Sequence, residues 1–257
     1  MAYPIVDVEE VFSDFVEEYG GVVSDRVLGK GHKASNADFI FHESKVIAEL
    51  KILKEDPFSS GEFRKSRKKK IQQWVQKGDI TLEALKEVKT LGDLPPKCYR
   101  DAEKLYTRPV KTHLEKANQQ IKSTKQTEQV EDYKGLLILV SDGNYLLQPK
   151  DIRLAVGRLL ANPNRFRSIN SVLYMTVNVT TERPNEPAPA RLWVGLYRDL
   201  DNMENEVPAK FLDDLYDKWA DYFSSITGIV LNKISEVNDE GLSEKDFLVD
   251  TKLIKAS

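Results

Sequence analysis

Cysteine is nearly absent. Cys98 stands alone in 257 residues, which excludes an intramolecular disulfide and fits a reducing compartment. Histidine is scarce as well, with three residues and no Cys or His at metal-binding spacing, so nothing argues for zinc. No stretch approaches the ~20 consecutive apolar residues of a membrane span, and no amino-terminal run joins basic residues to an apolar core. The expectation is a soluble, cytoplasmic protein without a membrane partner. Internal repeats and low-complexity linkers are also missing. Gly29-Lys30-Gly31-His32, followed by Lys33, has neither the spacing nor the helix-opening Gly-Lys-Ser/Thr of a Walker loop.

Net charge is small, formally -3, and excludes nothing about nucleic acid. Its distribution says more. Residues 51–130 hold 19 Lys and Arg against 11 Asp and Glu, whereas residues 1–50 hold 4 against 10 and residues 201–257 hold 6 against 13. A basic middle therefore lies between two acidic ends, suited to gripping a polyanion.

What the chain does have is concentrated between Ala37 and Leu53. Two β-type runs flank a polar Glu43-Ser44-Lys45 turn, and the second, Val46 to Leu53, is nearly continuous in apolar residues, as in a strand buried on both faces. Glu49 and Lys51 interrupt it. Being two apart, they share one face, and antiparallel pairing through the turn brings the Asp38 carboxylate near Glu49. Burying such charges without partners is costly, so the cluster calls for an explanation. The plainer one is an ion pair at a solvated strand edge, which contributes little. The chemical one is a Mg²⁺ site, with Mn²⁺ an acceptable substitute. Carboxylate oxygens suit that ion, and Lys51 would orient or deprotonate an attacking water or offset charge on a phosphate.

The arrangement Asp38, ten residues, Glu49-x-Lys51 resembles the PD-(D/E)xK nuclease superfamily. Ala37 stands where the motif's name has Pro, a change that touches no ligand. The resemblance covers about residues 7–180 and implies a restriction endonuclease-like fold. It also implies metal-dependent phosphodiester hydrolysis, with DNA the expected substrate, Asp38 and Glu49 as metal ligands, and Lys51 as base or charge stabiliser. A first-helix Glu often joins that metal site, which makes Glu18 the candidate here. A helix after the Glu-x-Lys strand often aims Gln or Lys at the site, which makes Gln120 and Lys116 candidates, with Gln120 catalytic and Lys116 on nucleic acid. Two alternatives stay open: a nucleic-acid-binding scaffold of the same fold without turnover, and a protein-interaction module.

Around this centre, Val8, Val11, Phe12, Phe15, Val16 and Tyr19 mark a helix ended by Gly20 and Gly21, with Glu18 tilted toward its buried face. Val22 to Leu28 reads as a strand. Arg64, Lys65, Arg67, Lys68, Lys69 and Lys70 put six positive charges in seven residues, a candidate nucleic-acid contact or a solvated helix face. Leu82 to Leu91 reads as helical. Pro109 to Thr127 reads as a helix with proline at its start and a Leu114, Ala117, Ile121 stripe.

Leu136 to Val140 is a buried strand reached by a helical crossover, and Asp142 at its end suits a turn. Ile152 to Leu160 is a helix, Ser171 to Val179 and Leu192 to Tyr197 are strands, and Pro184 to Pro189 is a loop. Phe211, Leu212, Leu215, Tyr216, Trp219, Tyr222, Phe223 and Ile226 mark an amphipathic helix whose stripe is core, or else a homodimer face. Beyond Glu236 the chain reads as polar and loosely ordered.

The sum is an α/β fold, a mixed central sheet flanked by helices. Residues 1–200 form the nuclease-like domain with a basic insertion at about 54–108. Residues 201–257 form an acidic amphipathic helical segment packed on the core.

Overall fold

Asp7 starts the first helix by accepting hydrogen bonds from the backbone N–H of Glu9 (3.0 Å) and Glu10 (3.2 Å), satisfying donors that a helix start leaves unpaired. The helix, α1 (Val8–Glu18), buries Val8, Phe12, Phe15 and Val16 and ends at Gly20, whose φ of 91° lies in the left-handed region. The computed structural model describes residues 5–28, 36–54, 61–88, 93–143, 149–182, 191–199, 201–231 and 252–255. The Gly29-Lys30-Gly31-His32 turn, the loop expected at Pro184 to Pro189, and the tail beyond Leu231 apart from Lys252–Lys255, lie outside the described residues.

The remaining elements are β1 (Val22–Val23), α2 (Ser24–Leu28), β2 (Phe39–Phe41), β3 (Val46–Leu53), α3 (Gly61–Gln76), α4 (Leu82–Glu87), α5 (Pro96–Glu128), β4 (Lys134–Asp142), α6 (Pro149–Leu160), β5 (Ser171–Val177), β6 (Val179–Glu182), β7 (Trp193–Tyr197), α7 (Ala209–Thr227) and β8 (Lys252–Lys255). Six strands form one mixed sheet in the order β1-β2-β3-β4-β5-β7. β1 to β3 are antiparallel neighbours, β3-β4 and β4-β5 are parallel, and β7 closes the sheet antiparallel to β5. β6 and β8 pair separately. The fold is thus α/β with a mixed six-stranded sheet between helices, as the sequence indicates. Among the described residues, no helix is long and apolar enough to cross a membrane.

Strand alternation sorts the core into two layers. Ile47, Leu53, Leu137, Leu139, Val172 and Tyr174 pack under α5 and α6, where Leu114, Ala117 and Ile121 are fully buried. Val46, Ala48, Leu50, Leu136, Ile138 and Val140 face the other way, onto α1 and α7. There Phe12, Phe15 and Trp219 make edge and tilted ring contacts at 5.2–5.4 Å. A third, smaller cluster of Trp74, Ile80, Leu94, Cys98 and Ala102 joins α3 to the amino-terminal half of α5.

Several expectations change. Val22 to Leu28 is not one strand: after Val23 the backbone turns into α2, because the Ser24 N–H donates to the Asp38 carbonyl (2.9 Å) and its hydroxyl to the Ala37 carbonyl (2.6 Å). The helix expected from Pro109 begins at Pro96, with Pro109 inside it; packing on α3 at one end and on the sheet at the other holds it continuous. The Leu82 helix stops at Glu87. Asn178, at φ 46°, ends β5 before Val179 starts β6. Ile226, expected in the α7 stripe, is 46% exposed. Lys252–Lys255, in the tail expected to be loose, form β8.

Gly135, near the start of β4, is required by contact. Its N–H donates to Asn170 Oδ1 (2.7 Å), its carbonyl accepts from the Asn170 N–H (2.8 Å), and a Cβ there would lie 1.8 Å from the Ser168 carbonyl oxygen. Gly135→Ala is expected to lower stability by about 1–3 kcal/mol or more, as overpacking against backbone does. Urea unfolding measures it, and an unchanged midpoint would contradict this packing.

Candidate active site

The site forms where β2 meets β3. The register pairs Phe39 with Ala48 and Ile40 with Ile47, so Asp38, one residue before β2, stands opposite Glu49. The tight turn that sets this register places Lys45 at φ 53°. Glu49 is 0% exposed and lies in a strand hydrogen-bonded on both sides, to β2 and to β4. The reading of Glu49 and Lys51 as a solvated edge pair is therefore excluded.

Two bonds from backbone N–H groups lock the two acids: the Asp38 N–H donates to Glu49 Oε2 (3.1 Å) and the Leu50 N–H donates to Asp38 Oδ2 (2.8 Å). Lys51 Nζ donates to Glu49 Oε1 and to Gln120 Oε1 (3.0 Å). Gln120 Nε2 in turn donates to the Asn36 carbonyl (3.2 Å). Asp38, Glu49, Lys51 and Gln120, the residues singled out for catalysis in the sequence, thus form one connected network.

Residues not singled out complete it. Thr124, one turn beyond Gln120, accepts from the Ala37 N–H (2.7 Å) and donates to the Gln120 carbonyl (3.1 Å). A proline at position 37 would have no N–H for this bond. Ser24 holds the other side of the same segment. Their signals in the sequence are slight: Thr124 falls four residues after Gln120, and Ser24-Asp25 breaks an otherwise apolar run.

Glu18 is not brought to the network. It is exposed at the last turn of α1, and its charge acts on the Tyr222 hydroxyl. The acid from the amino-terminal region whose charge does reach Asp38 is Asp25. Arg26, next in sequence, pairs with Asp14 (2.5 Å) and Glu17 (2.6 Å) on α1.

The basic run also lies elsewhere. Arg64, Lys65, Arg67, Lys68 and Lys69 are exposed on α3, and none pairs with a carboxylate among the described residues. Lys70 is different: with the Trp74 indole N–H it donates to Asp101 Oδ2, both at 3.2 Å. Asp101 precedes Gln120 by 19 residues of α5, about 28 Å along a helix axis. The run therefore follows the active strand in sequence but is anchored well away from it. Lys116, by contrast, is exposed one turn before Gln120.

Electrostatically the centre is strained toward neutrality. Burial, then the Asp38 carboxylate, push Glu49 up to about 8 against the pull of Lys51. Burial also raises Asp38, against the Leu50 N–H and the Lys51 charge. Two acids this close share a proton unless a cation replaces it. Asp38 and Glu49 are oxygen donors suited to a hard divalent ion. Among the described residues no group of three or more His, Cys, Asp or Glu side chains converges, and Mg²⁺ is commonly held by one or two carboxylates with waters and substrate oxygens. The donor set fits such an ion.

Without metal, both carboxyl groups bind protons more tightly in the folded than in the unfolded chain. Stability then falls as pH rises from the ordinary glutamate value of 4.5 toward about 8. Glu49→Gln should flatten that fall by at most ~1.4 kcal/mol per pH unit. Urea unfolding of both proteins in a chelator across this range tests it; parallel curves would show Glu49 ionised throughout.

Comparison of the chain with protein-family models, curated proteins and solved structures finds no match.

Proposed function

We propose that the chain is a metal-dependent nuclease of the PD-(D/E)xK type that hydrolyses phosphodiester bonds, with DNA the expected substrate. The observation that carries this reading is the linked set of Asp38, Glu49, Lys51 and Gln120, built around two buried carboxyl groups in the middle of a sheet. The order of elements agrees with it: a helix, three antiparallel strands, a helical crossover and a parallel fourth strand.

Asp38 and Glu49 would hold Mg²⁺ or Mn²⁺, which supplies a more acidic water and neutralises the leaving oxygen. The chain's own residues do the rest. Lys51 is 18% exposed at its side chain, and two acceptors fix its ammonium, which leaves a third N–H for water or a phosphate oxygen. From that position the ammonium offsets charge on the phosphorane-like transition state, and only after giving up a proton, as the neutral amine, would it take one from the attacking water. Gln120 is a positioning residue: it ties Lys51 on β3 to the Asn36 carbonyl and so holds the amine at fixed distance from the acids. Arg64, Lys65, Arg67, Lys68 and Lys69 offer an electrostatic grip on substrate distant from the point of scission.

Calorimetry with Mg²⁺ and Mn²⁺ should show binding to the wild type that is lost in Asp38→Ala combined with Glu49→Ala. Incubation with linear, circular and branched DNA should show cleavage lost in the same variant and in Lys51→Ala, the latter still binding DNA. Unchanged cleavage by Lys51→Ala would sink the proposal, and DNA binding without metal uptake would favour the inactive scaffold. Replacing Arg64, Arg67, Lys68 and Lys69 by Gln should weaken binding and reduce the slope of log affinity on log salt, by ~0.9 for each duplex phosphate that is no longer neutralised. An unchanged slope would make α3 a solvated face only.

A further inference from the structure

Next to Lys51 the helix α5 carries a stripe of which the proposed chemistry uses Gln120 alone. His113, Lys116 and Gln120 fall at i, i+3 and i+7 and so share one face. Gln120 touches Lys51 directly. Lys116 lies one turn before it and His113 two turns, about 10 Å along the axis. Behind this stripe Val110, Leu114 and Ala117 are buried against the sheet, which fixes the helix's rotation. His113 itself is half-buried, whereas Lys116 is exposed.

The charges that reach His113 are Lys51 from β3 and Lys116 from its own helix, both positive, with no carboxylate among them. Among the described residues no hydrogen bond or ion pair joins His113 or Lys116 to an acid. Lys51 is already paired with Glu49, so the exposed ammonium of Lys116, with the imidazole one turn before it, is the cation on this face left for an anion.

We propose that His113 and Lys116 form a second phosphate subsite, which holds a backbone phosphate of the substrate next to the one attacked and binds it with uptake of a proton on His113. The inference rests on the reading of the site as one that takes a phosphodiester. Its physical basis is linkage. In the free protein burial, then Lys51 and Lys116, hold the imidazole below its ordinary range, so it is neutral at pH 7. A phosphate seated between His113 and Lys116 brings the missing negative charge, raises the proton affinity of the imidazole, and gains a charge-assisted hydrogen bond. The sign follows: affinity is lowest above the bound-state value and rises as pH falls toward the free-state value, with one proton taken up.

The test uses the full chain in EDTA, where no cleavage occurs, and a short fluorescein-labelled single-stranded oligodeoxynucleotide, with anisotropy measured across about pH 5 to 8. Wild type should bind more tightly as pH falls, by up to about tenfold per unit where one proton is taken up. His113→Gln should match wild type at the alkaline end and lose about three- to tenfold at the acid end. Because Asp38 and Glu49 titrate in both proteins, the difference between the two profiles belongs to His113. Lys116→Gln should weaken binding at every pH. Imidazole proton resonances of wild type, assigned by their loss in His113→Gln, should titrate at higher pH with oligonucleotide than without. Superimposable profiles for wild type and His113→Gln, with an unshifted imidazole, would overturn the subsite while leaving the nuclease reading intact. No binding by wild type at any pH would overturn both.

Discussion

The site depends on how the backbone of Asn36, Ala37 and Asp38 is pinned. The Asn36 carbonyl accepts from Gln120, the Ala37 N–H donates to Thr124, the Ala37 and Asp38 carbonyls accept from Ser24, and the Asp38 N–H donates to Glu49. Three elements distant in sequence, α2, α5 and β3, therefore grip one three-residue segment from different sides. A buried backbone must place its polar groups somewhere. Here they fix Asp38 against Glu49. The carboxyl pair inherits its position from the fold rather than from flexible side chains, which is the preorganisation that a catalytic or ligand-binding centre requires.

The same logic gives α5 its length. Its carboxyl-terminal half fills the core with Leu114, Ala117 and Ile121 while the adjoining stripe brings Gln120 and Thr124 into the network. Its amino-terminal half leaves the sheet and supports α3 through Cys98, Ala102 and Asp101. One rigid rod thus connects the acidic centre to the basic helix. The buried acids sit in and beside β3, and the exposed cations of the basic run sit on α3. A polyanion lying along α5 would meet both.

Much of this was legible in the residues. The polar Glu43-Ser44-Lys45 turn and the period-two alternation sufficed to set Asp38 opposite Glu49 and to put Glu49 and Lys51 on one face, because register and side-chain direction are local consequences of strand geometry. The stripe of Leu114, Ala117 and Ile121 likewise showed which side of α5 would be buried, and with it the placement of Gln120. What failed depended on distant contacts. Ser24 turns the chain out of β1 because it finds carbonyls of residues 37 and 38, which propensity within Val22 to Leu28 does not reveal. Pro109 reads as a helix start because a proline interrupts the hydrogen-bond ladder, yet packing at both ends carries α5 through it. Glu18 was placed by counting turns near a helix end, where an error of one residue rotates a side chain by about 100°, and it faces solvent. His113 carries no motif and gains meaning only when β3 sets Lys51 beside its helix.

The balance of energies argues that the acidic pair is functional. Placing Glu49 at 0% exposure beside a second carboxyl group raises its proton affinity to about 8, and Lys51 reduces the strain without removing it. For stability alone, an apolar side chain in that central strand would serve as well or better than a buried ion pair. A structural Glu-Lys pair would also have no use for Asp38, whose carboxylate adds repulsion to the desolvation already present. A species of positive charge bound by both acids would relieve that repulsion, and the backbone bonds that align the two carboxyl groups hold them ready for it. Sites that conflict locally with folding in this way are where function is expected. Here the conflict is confined to Asp38, Glu49 and Lys51, on and beside a strand whose neighbours β2 and β4 are largely apolar.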